Sequence, residues 1–187
     1  MAALEKRRFG KTGREVTVVG LGGEGVLRTY GRHAEARAVI MEALDQGITY
    51  FDSAKVYAGS EDYYGEVWRS NPGLRAPVFQ ASKSASRQHA DAEMDLARTL
   101  QRLGIETLDL WQIHDVRTFP DIRELEGPTG ALSAFIEARE TGVVRHIGVT
   151  GHHDPDVLSH AVENWPVDAV MLPVNPVEEA PGGFLSS

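Results

Sequence analysis

Short apolar runs alternate with stretches of helical spacing along most of this chain. The runs Val16–Leu21, Ile48–Asp52, Pro77–Ala81, Leu108–Ile113, Val144–Val149 and Ala169–Leu172 predict six strands. Between the first two, Ala36, Val39, Ile40, Ala43 and Leu44 recur on one helical face, and the segment stops at Gly47. Ala90, Met94, Ala97, Leu100 and Leu103 predict the face of a second helix ending at Gly104. Thr129 is placed to cap a third, with Leu132, Phe135 and Ile136 inward and Gly142 as its stop. Asp154 followed by Pro155 starts a fourth, because proline suits the first helical position.

Strand and helix in alternation imply parallel strands joined by right-handed crossovers. The strands are rich in Val, Ile and Leu, as expected where both faces of a sheet are covered. Their spacing is roughly 30 residues, and eight such units make the usual (β/α)8 TIM-barrel of about 250. The 187 residues supply about six of those strands, so the expectation is one incomplete barrel domain over 1–187. Residues 182–187 (GGFLSS) read as the opening of a further helix. Ahead of the first strand, Arg7 to Val16 carries two glycines between extended-type residues and predicts a β-hairpin, well suited to plug the bottom of a barrel.

Composition narrows the function. Hydrophobic residues are 42% and charged residues 25%, as in folded globular chains. With 19 Lys and Arg against 27 Asp and Glu the net charge is −8, which argues against nucleic-acid and anionic-membrane partners. The sequence has no cysteine, so disulfides, thiol catalysis and cysteine-ligated metals are out. The N-terminal run lacks the apolar core of a secretory signal and no apolar stretch approaches membrane-spanning length, so the expected setting is the cytoplasm.

Three successive strands run into an ionisable residue: Asp52, Lys83 and His114. In a parallel barrel all strand C-termini share one face, so these side chains would converge there. Tyr57 lies five residues past Asp52, on the loop leaving the same strand. The set suits proton donation to a carbonyl oxygen. A phenol is a weak acid at neutral pH unless a cation stabilises its phenolate; Lys83 could be that cation, with Asp52 keeping it charged and His114 bonded to the substrate oxygen. The plainer account is an ion pair, a buried histidine and a packing tyrosine. The indoles of Trp68, Trp111 and Trp165 read as packing, with Trp111 near enough to His114 to approach the mouth; His33, His89 and His160 read as surface residues.

At these residues the chain resembles the aldo-keto reductases. Gly47-Ile48-Thr49-Tyr50-Phe51-Asp52-Ser53-Ala54-Lys55-Val56-Tyr57 is similar to the family's signature, and Ala81-Ser82-Lys83, Leu103 to Leu110 leading to His114, and Gly142 to Val149 match further segments. The resemblance implies a (β/α)8 barrel that reduces aldehyde or ketone carbonyls with a nicotinamide cofactor, normally NADPH, with NADH left open. It implies a tetrad of Asp52, Tyr57, Lys83 and His114, with Tyr57 as proton donor. Where the family commonly has Ser-Asn after strand five, this chain has Thr150-Gly151 followed by His152, closer to members ending that strand in Gly-His. Thr150, Gly151 and His152 thus stand at the nicotinamide position. Gly22 and Gly23 would let substrate and cofactor approach the first strand's end. The family's seventh and eighth strands, with the ring that stacks on nicotinamide and the basic residues that hold the adenosine phosphate, have no counterpart in the sequence.

Three rivals stand beside this reading. Gly20-Leu21-Gly22-Gly23-Glu24-Gly25 satisfies G-x-G-x-x-G after a strand, which suggests a Rossmann turn, but about eight residues separate it from helical spacing. His152-His153-Asp154 hints at a metal, yet adjacent histidines rarely point the same way and Asp154 suits a helix cap, so no metal is expected. The third is an inactive chain that keeps the fold, as a binding or regulatory relic. Open sheet edges would then invite self-association.

Overall fold

The computed structural model describes residues 3–175 and 183–184. A hairpin of β1 (Lys6–Arg8) and β2 (Glu15–Thr17) precedes a five-stranded parallel sheet. Its strands are β3 (Tyr50–Asp52), β4 (Phe79–Ser84), β5 (Leu108–Ile113), β6 (Val144–Thr150) and β7 (Ala169–Met171), in consecutive order. Helices α1 (His33–Asp45), α2 (Ser60–Ser70), α3 (Pro72–Arg75), α4 (His89–Leu103), α5 (Phe119–Glu126), α6 (Ala131–Glu140) and α7 (Pro155–Asn164) fill the connections. Both β4 and β5 are buried along their whole length, as strands covered on two faces must be. This is the incomplete barrel that the pattern predicts.

The hairpin closes the N-terminal end of the sheet. Phe9 in its loop packs on Tyr50 and Phe79, with ring centroids 5.1 and 5.6 Å away. Behind it Val16, Phe79, Ala81, Leu110 and Ala169 form a separate small core. Thr17 and Thr49 exchange backbone-to-hydroxyl hydrogen bonds of 3.0 Å, and the Lys11 amide donates to the Asp168 carbonyl at 2.8 Å. The opposite, C-terminal end is left open.

Several expectations need correction. Val16–Leu21 is not one barrel strand: Val16 and Thr17 pair within the hairpin, and only Leu21 bridges to Phe51. Apolar alternation suits both pairings, and the available partner decides. The predicted face of α4 holds only at its end, where Leu103 is buried and Leu100 packs on the core; Ala90, Met94 and Ala97 are exposed, while Ala92, Asp95, Leu96 and Thr99 are buried. Two of those are polar, and each has a buried partner: Asp95 accepts from Ser84, with half-buried Ser86 adding a second bond, and Thr99 donates to Glu61 at 2.8 Å. Thr129 does not cap α6: Gly130 precedes that helix, the Thr129 hydroxyl donates to Gln88, and its carbonyl accepts the first amide of α4 at 2.8 Å. Helices α2, α3 and α5 were not legible in the periodicity. The suggested helix at 182–187 lies outside the described residues apart from Gly183 and Phe184.

The expected stops and starts otherwise hold. Gly47, Gly104 and Gly142 take the left-handed conformation after their helices, and the Asp154 side chain accepts from the Asp156 amide at the start of α7. The Rossmann reading is overturned. Its glycine loop leads into a single 3-10 turn (Gly25–Arg28), α1 begins only at His33, and the sheet order never reverses to make a dinucleotide crevice. No helix of the described residues is long and apolar enough to cross a membrane.

Candidate active site

The three strand-end residues meet where parallel pairing requires. Tyr50–Asp52 pairs with Phe79–Ala81, and Ala81–Ser84 pairs with Leu110–Ile113, so successive strands deliver Asp52, Lys83 and His114 to one rim. The ladder continues past the strands, with the His114 amide donating to the Ser84 carbonyl at 2.9 Å. Lys83, only 1% exposed, donates to the Asp52 carboxylate and to the Ser53 carbonyl at 2.8 Å. Gln112 donates to the other Asp52 oxygen at 3.4 Å. Burial pushes the Asp52 carboxyl up, and Lys83 and Gln112 pull part of that back.

Tyr57 sits over this pair. The Lys83 ammonium lies 4.9 Å from the centre of its ring, and the edge of the His114 imidazole meets it at 5.7 Å and 84°. The cation therefore addresses the ring face, and the phenol is not acidified as the sequence suggests. Burial first, then Asp52 and Glu24, pushes it up to about 12. Its proton is held firmly at neutral pH. His114 moves the other way: burial and the Lys83 charge pull it down to about 4, so its imidazole is neutral at pH 7. Its Nδ1 is buried without a hydrogen-bond partner among the described residues.

The glycines at the first strand's end differ in purpose. A Cβ on Gly23 would meet Ser60 Oγ at 2.4 Å and the Asp52 carbonyl at 2.9 Å, so glycine here lets the loop close onto the tetrad. Nothing lies within 4 Å of a Cβ on Gly22, which lines an open cavity of about 870 Å³ bounded also by Leu21, Asp52, Tyr57, Val170 and Leu172. Across the mouth, the Thr150 hydroxyl accepts the Asp115 amide at 2.8 Å. Gly151 is demanded by packing, since its Cβ would strike the Val116 carbonyl at 2.7 Å. His152 is exposed on the same rim.

Two neighbours of the tetrad escaped the sequence reading. Arg28, at the end of the 3-10 turn, places its guanidinium 5.0 Å from the Tyr57 ring centre while bonded to Glu24. Gln112 stands two residues before His114, and period-two alternation puts them on one strand face; that was its available signal. Trp111, by contrast, does not approach the mouth: it is fully buried and stacks on Phe135 of α6 at 3.6 Å.

A curled parallel sheet with an acid–base cluster at the strand C-termini defines a barrel of the (β/α)8 enzyme type. Comparison with known proteins makes the class specific. The sequence profile of the aldo/keto reductase family matches residues 18–181, and the chain belongs to that family. It is 29% identical over 177 residues to the aldo-keto reductase yakc [NADP(+)] of Schizosaccharomyces pombe, covering 86% of this chain and 50% of the relative. It is 37% identical over 133 residues to 2,5-diketo-D-gluconic acid reductase B of a Corynebacterium, covering 69% and 46%. Among solved structures, the thermostable aldo-keto reductase Tm1743 in complex with epalrestat superposes with a TM-score of 0.80 at 27% identity, covering 98% of this chain and 68% of that one. The chain spans about half the length of the curated relatives it matches.

Proposed function

We propose that this chain carries the catalytic half of a reductase that converts small aldehyde or ketone substrates to alcohols, with NADPH as cofactor. The observation that carries the reading is the packing of Tyr57 against Lys83 and His114, with Asp52 bonded to Lys83 behind it. The cofactor's part is to deliver hydride to the carbonyl carbon. The developing alkoxide takes the Tyr57 proton, which is available because burial holds the phenol protonated. Neutral His114 can offer a hydrogen bond to the same oxygen, and the Asp52–Lys83 pair holds a positive charge beneath the ring as the phenolate forms.

The rim fits the nicotinamide end of such a cofactor in part. Gly22 leaves open space at the cavity wall, and the Thr150 hydroxyl, which accepts one amide, still has a proton to donate to a carboxamide. His152 on the neighbouring loop completes the set, while Gly151 serves the fold and Gly23 the fit of loop to tetrad. The name of the fission-yeast relative supports the phosphorylated cofactor, and the choice against NADH belongs to the same proposal. The proposed setting is the cytoplasm.

One observation favours a second reading. The cavity opens between Val18 and Val170, which are 50% and 37% exposed, so the cleft lacks a wall within the described residues. A chain in this form would be a non-catalytic relative, or one whose cleft is completed by association. Fluorescence titration with NADPH separates the two. Binding in the micromolar range, about −8 kcal/mol, supports the reductase, and no binding up to millimolar supports the relic. With binding in hand, Tyr57→Phe should abolish carbonyl turnover and leave the NADPH affinity within about twofold; surviving turnover would remove Tyr57 from its role.

A further inference from the structure

The ends of β5 and β6 lie side by side, and the loops leaving them bring together three ligand-type groups, of which only His152 has a part in the proposed cofactor rim. Asp115 follows His114 directly; His152 and His153 follow β6. His152 Nε2 lies 3.2 Å and His153 Nε2 lies 3.4 Å from the same oxygen, Asp115 Oδ1. The two rings are 4.3 Å apart, so these adjacent histidines do point the same way. Asp115 adopts φ 58°, a left-handed conformation uncommon outside glycine, and its amide is tied to Thr150 Oγ1.

Hydrogen bonding alone does not account for this meeting. Asp115 Oδ1 is buried and has no hydrogen-bond partner among the described residues, so both nitrogens come within reach of it without aligning an N–H onto it. Oδ2 is committed to Arg117, which donates through Nε at 2.8 Å and Nη2 at 2.5 Å. The separations instead match the edges of a metal tetrahedron. Bonds of about 2.0–2.1 Å from a zinc ion to nitrogen and oxygen put neighbouring ligand atoms about 3.3–3.4 Å apart. We propose that Asp115, His152 and His153 form a site for a divalent transition metal, Zn²⁺ being the ion this donor set suits.

Two imidazoles and one carboxylate oxygen are the borderline donors that zinc, nickel and cobalt take in preference to calcium or magnesium. The nearby guanidiniums of Arg117 and Arg87 oppose a dication, which sets the expected Kd on the order of 1–100 μM, far weaker than a closed structural zinc site. Isothermal titration of the tag-free chain with ZnCl₂ tests the assignment without reference to activity. One ion per chain should bind, with affinity reduced at least tenfold in His152→Ala and in His153→Ala. Both side chains are exposed, so their loss leaves the core intact. His89→Ala is the control, because His89, Glu93 and Glu137 form the other such cluster among the described residues. Co²⁺ should give the visible absorption of a four-coordinate site, lost in the double variant. Absence of binding up to about 1 mM, full retention in the double variant, or loss in His89→Ala alone would each overturn the proposal.

Discussion

His114 shows how one buried residue sets a pH dependence for the whole chain. In the unfolded chain its imidazole takes a proton near 6.5, whereas in the fold burial and Lys83 hold it to about 4. Between those values the unfolded state binds more protons, so stability is complete above about pH 6.5 and falls toward pH 4. His146, also pulled down by burial, adds to the slope, while the raised carboxyl of Asp52 works against it. The His114 share amounts to on the order of 2 kcal/mol between pH 7 and 5. Urea unfolding at both values should show His114→Gln losing correspondingly less stability on acidification; an unchanged slope would assign it to other groups. The residue's position was legible because it ends an apolar run. Its neutrality was not, because desolvation depends on what packs around it.

At the scale of elements, caps were easier to read than faces. Asp154 starts α7 because its carboxylate can accept an amide of the first turn, a local event that two or three residues decide. Asp154→Ala should cost about 1 kcal/mol and lower Tm by about 2–5 °C, as differential scanning calorimetry would record. The His152–His153 loop leads directly into α7, which buried Val157, Leu158 and Ala161 dock, so the same variant should loosen that loop. Thr129 looked as good a cap, but the Gln88 side chain, distant in sequence, engages its hydroxyl instead. Helix α4 shows the same limit for faces. Its inward side carries Asp95 and Thr99 because Ser84, Ser86, Lys55 and Glu61 wait there, and no periodicity announces partners on other elements. Helix α2 went unread because Tyr63, Tyr64 and Trp68, half polar by composition, form its buried side.

Over the whole molecule, the open cavity lies between β7, the last strand of the parallel sheet, and the segment from Val18 to Leu21 that bridges to β3. Val18 and Val19 on one side and Val170 and Val174 on the other leave apolar surface uncovered among the described residues. Exposed strand edges with apolar flanks favour pairing with another chain. Sedimentation velocity at micromolar concentration should therefore show species above the monomer mass. A Val19→Lys, Val170→Lys variant should shift them toward monomer; a wild-type chain that stays monomeric would show that these edges are tolerated as they are.

The chain's own order of residues determined the strand–helix alternation, the glycine stops, the proline start, the hairpin plug and the line of ionisable residues at strand ends. Each depends on neighbours within a few positions, where propensity and period act directly. Tertiary structure decided the rest: that Val16 pairs with the hairpin, that Lys83 faces the Tyr57 ring while the phenol stays protonated, that Gly151 serves the Val116 carbonyl, and that His152 and His153 converge on Asp115. Apart from the hairpin pairing, those outcomes turn on contacts between residues about 25 or more positions apart. Burial and charge there are properties of the packed neighbourhood, so no local stretch of sequence contains them.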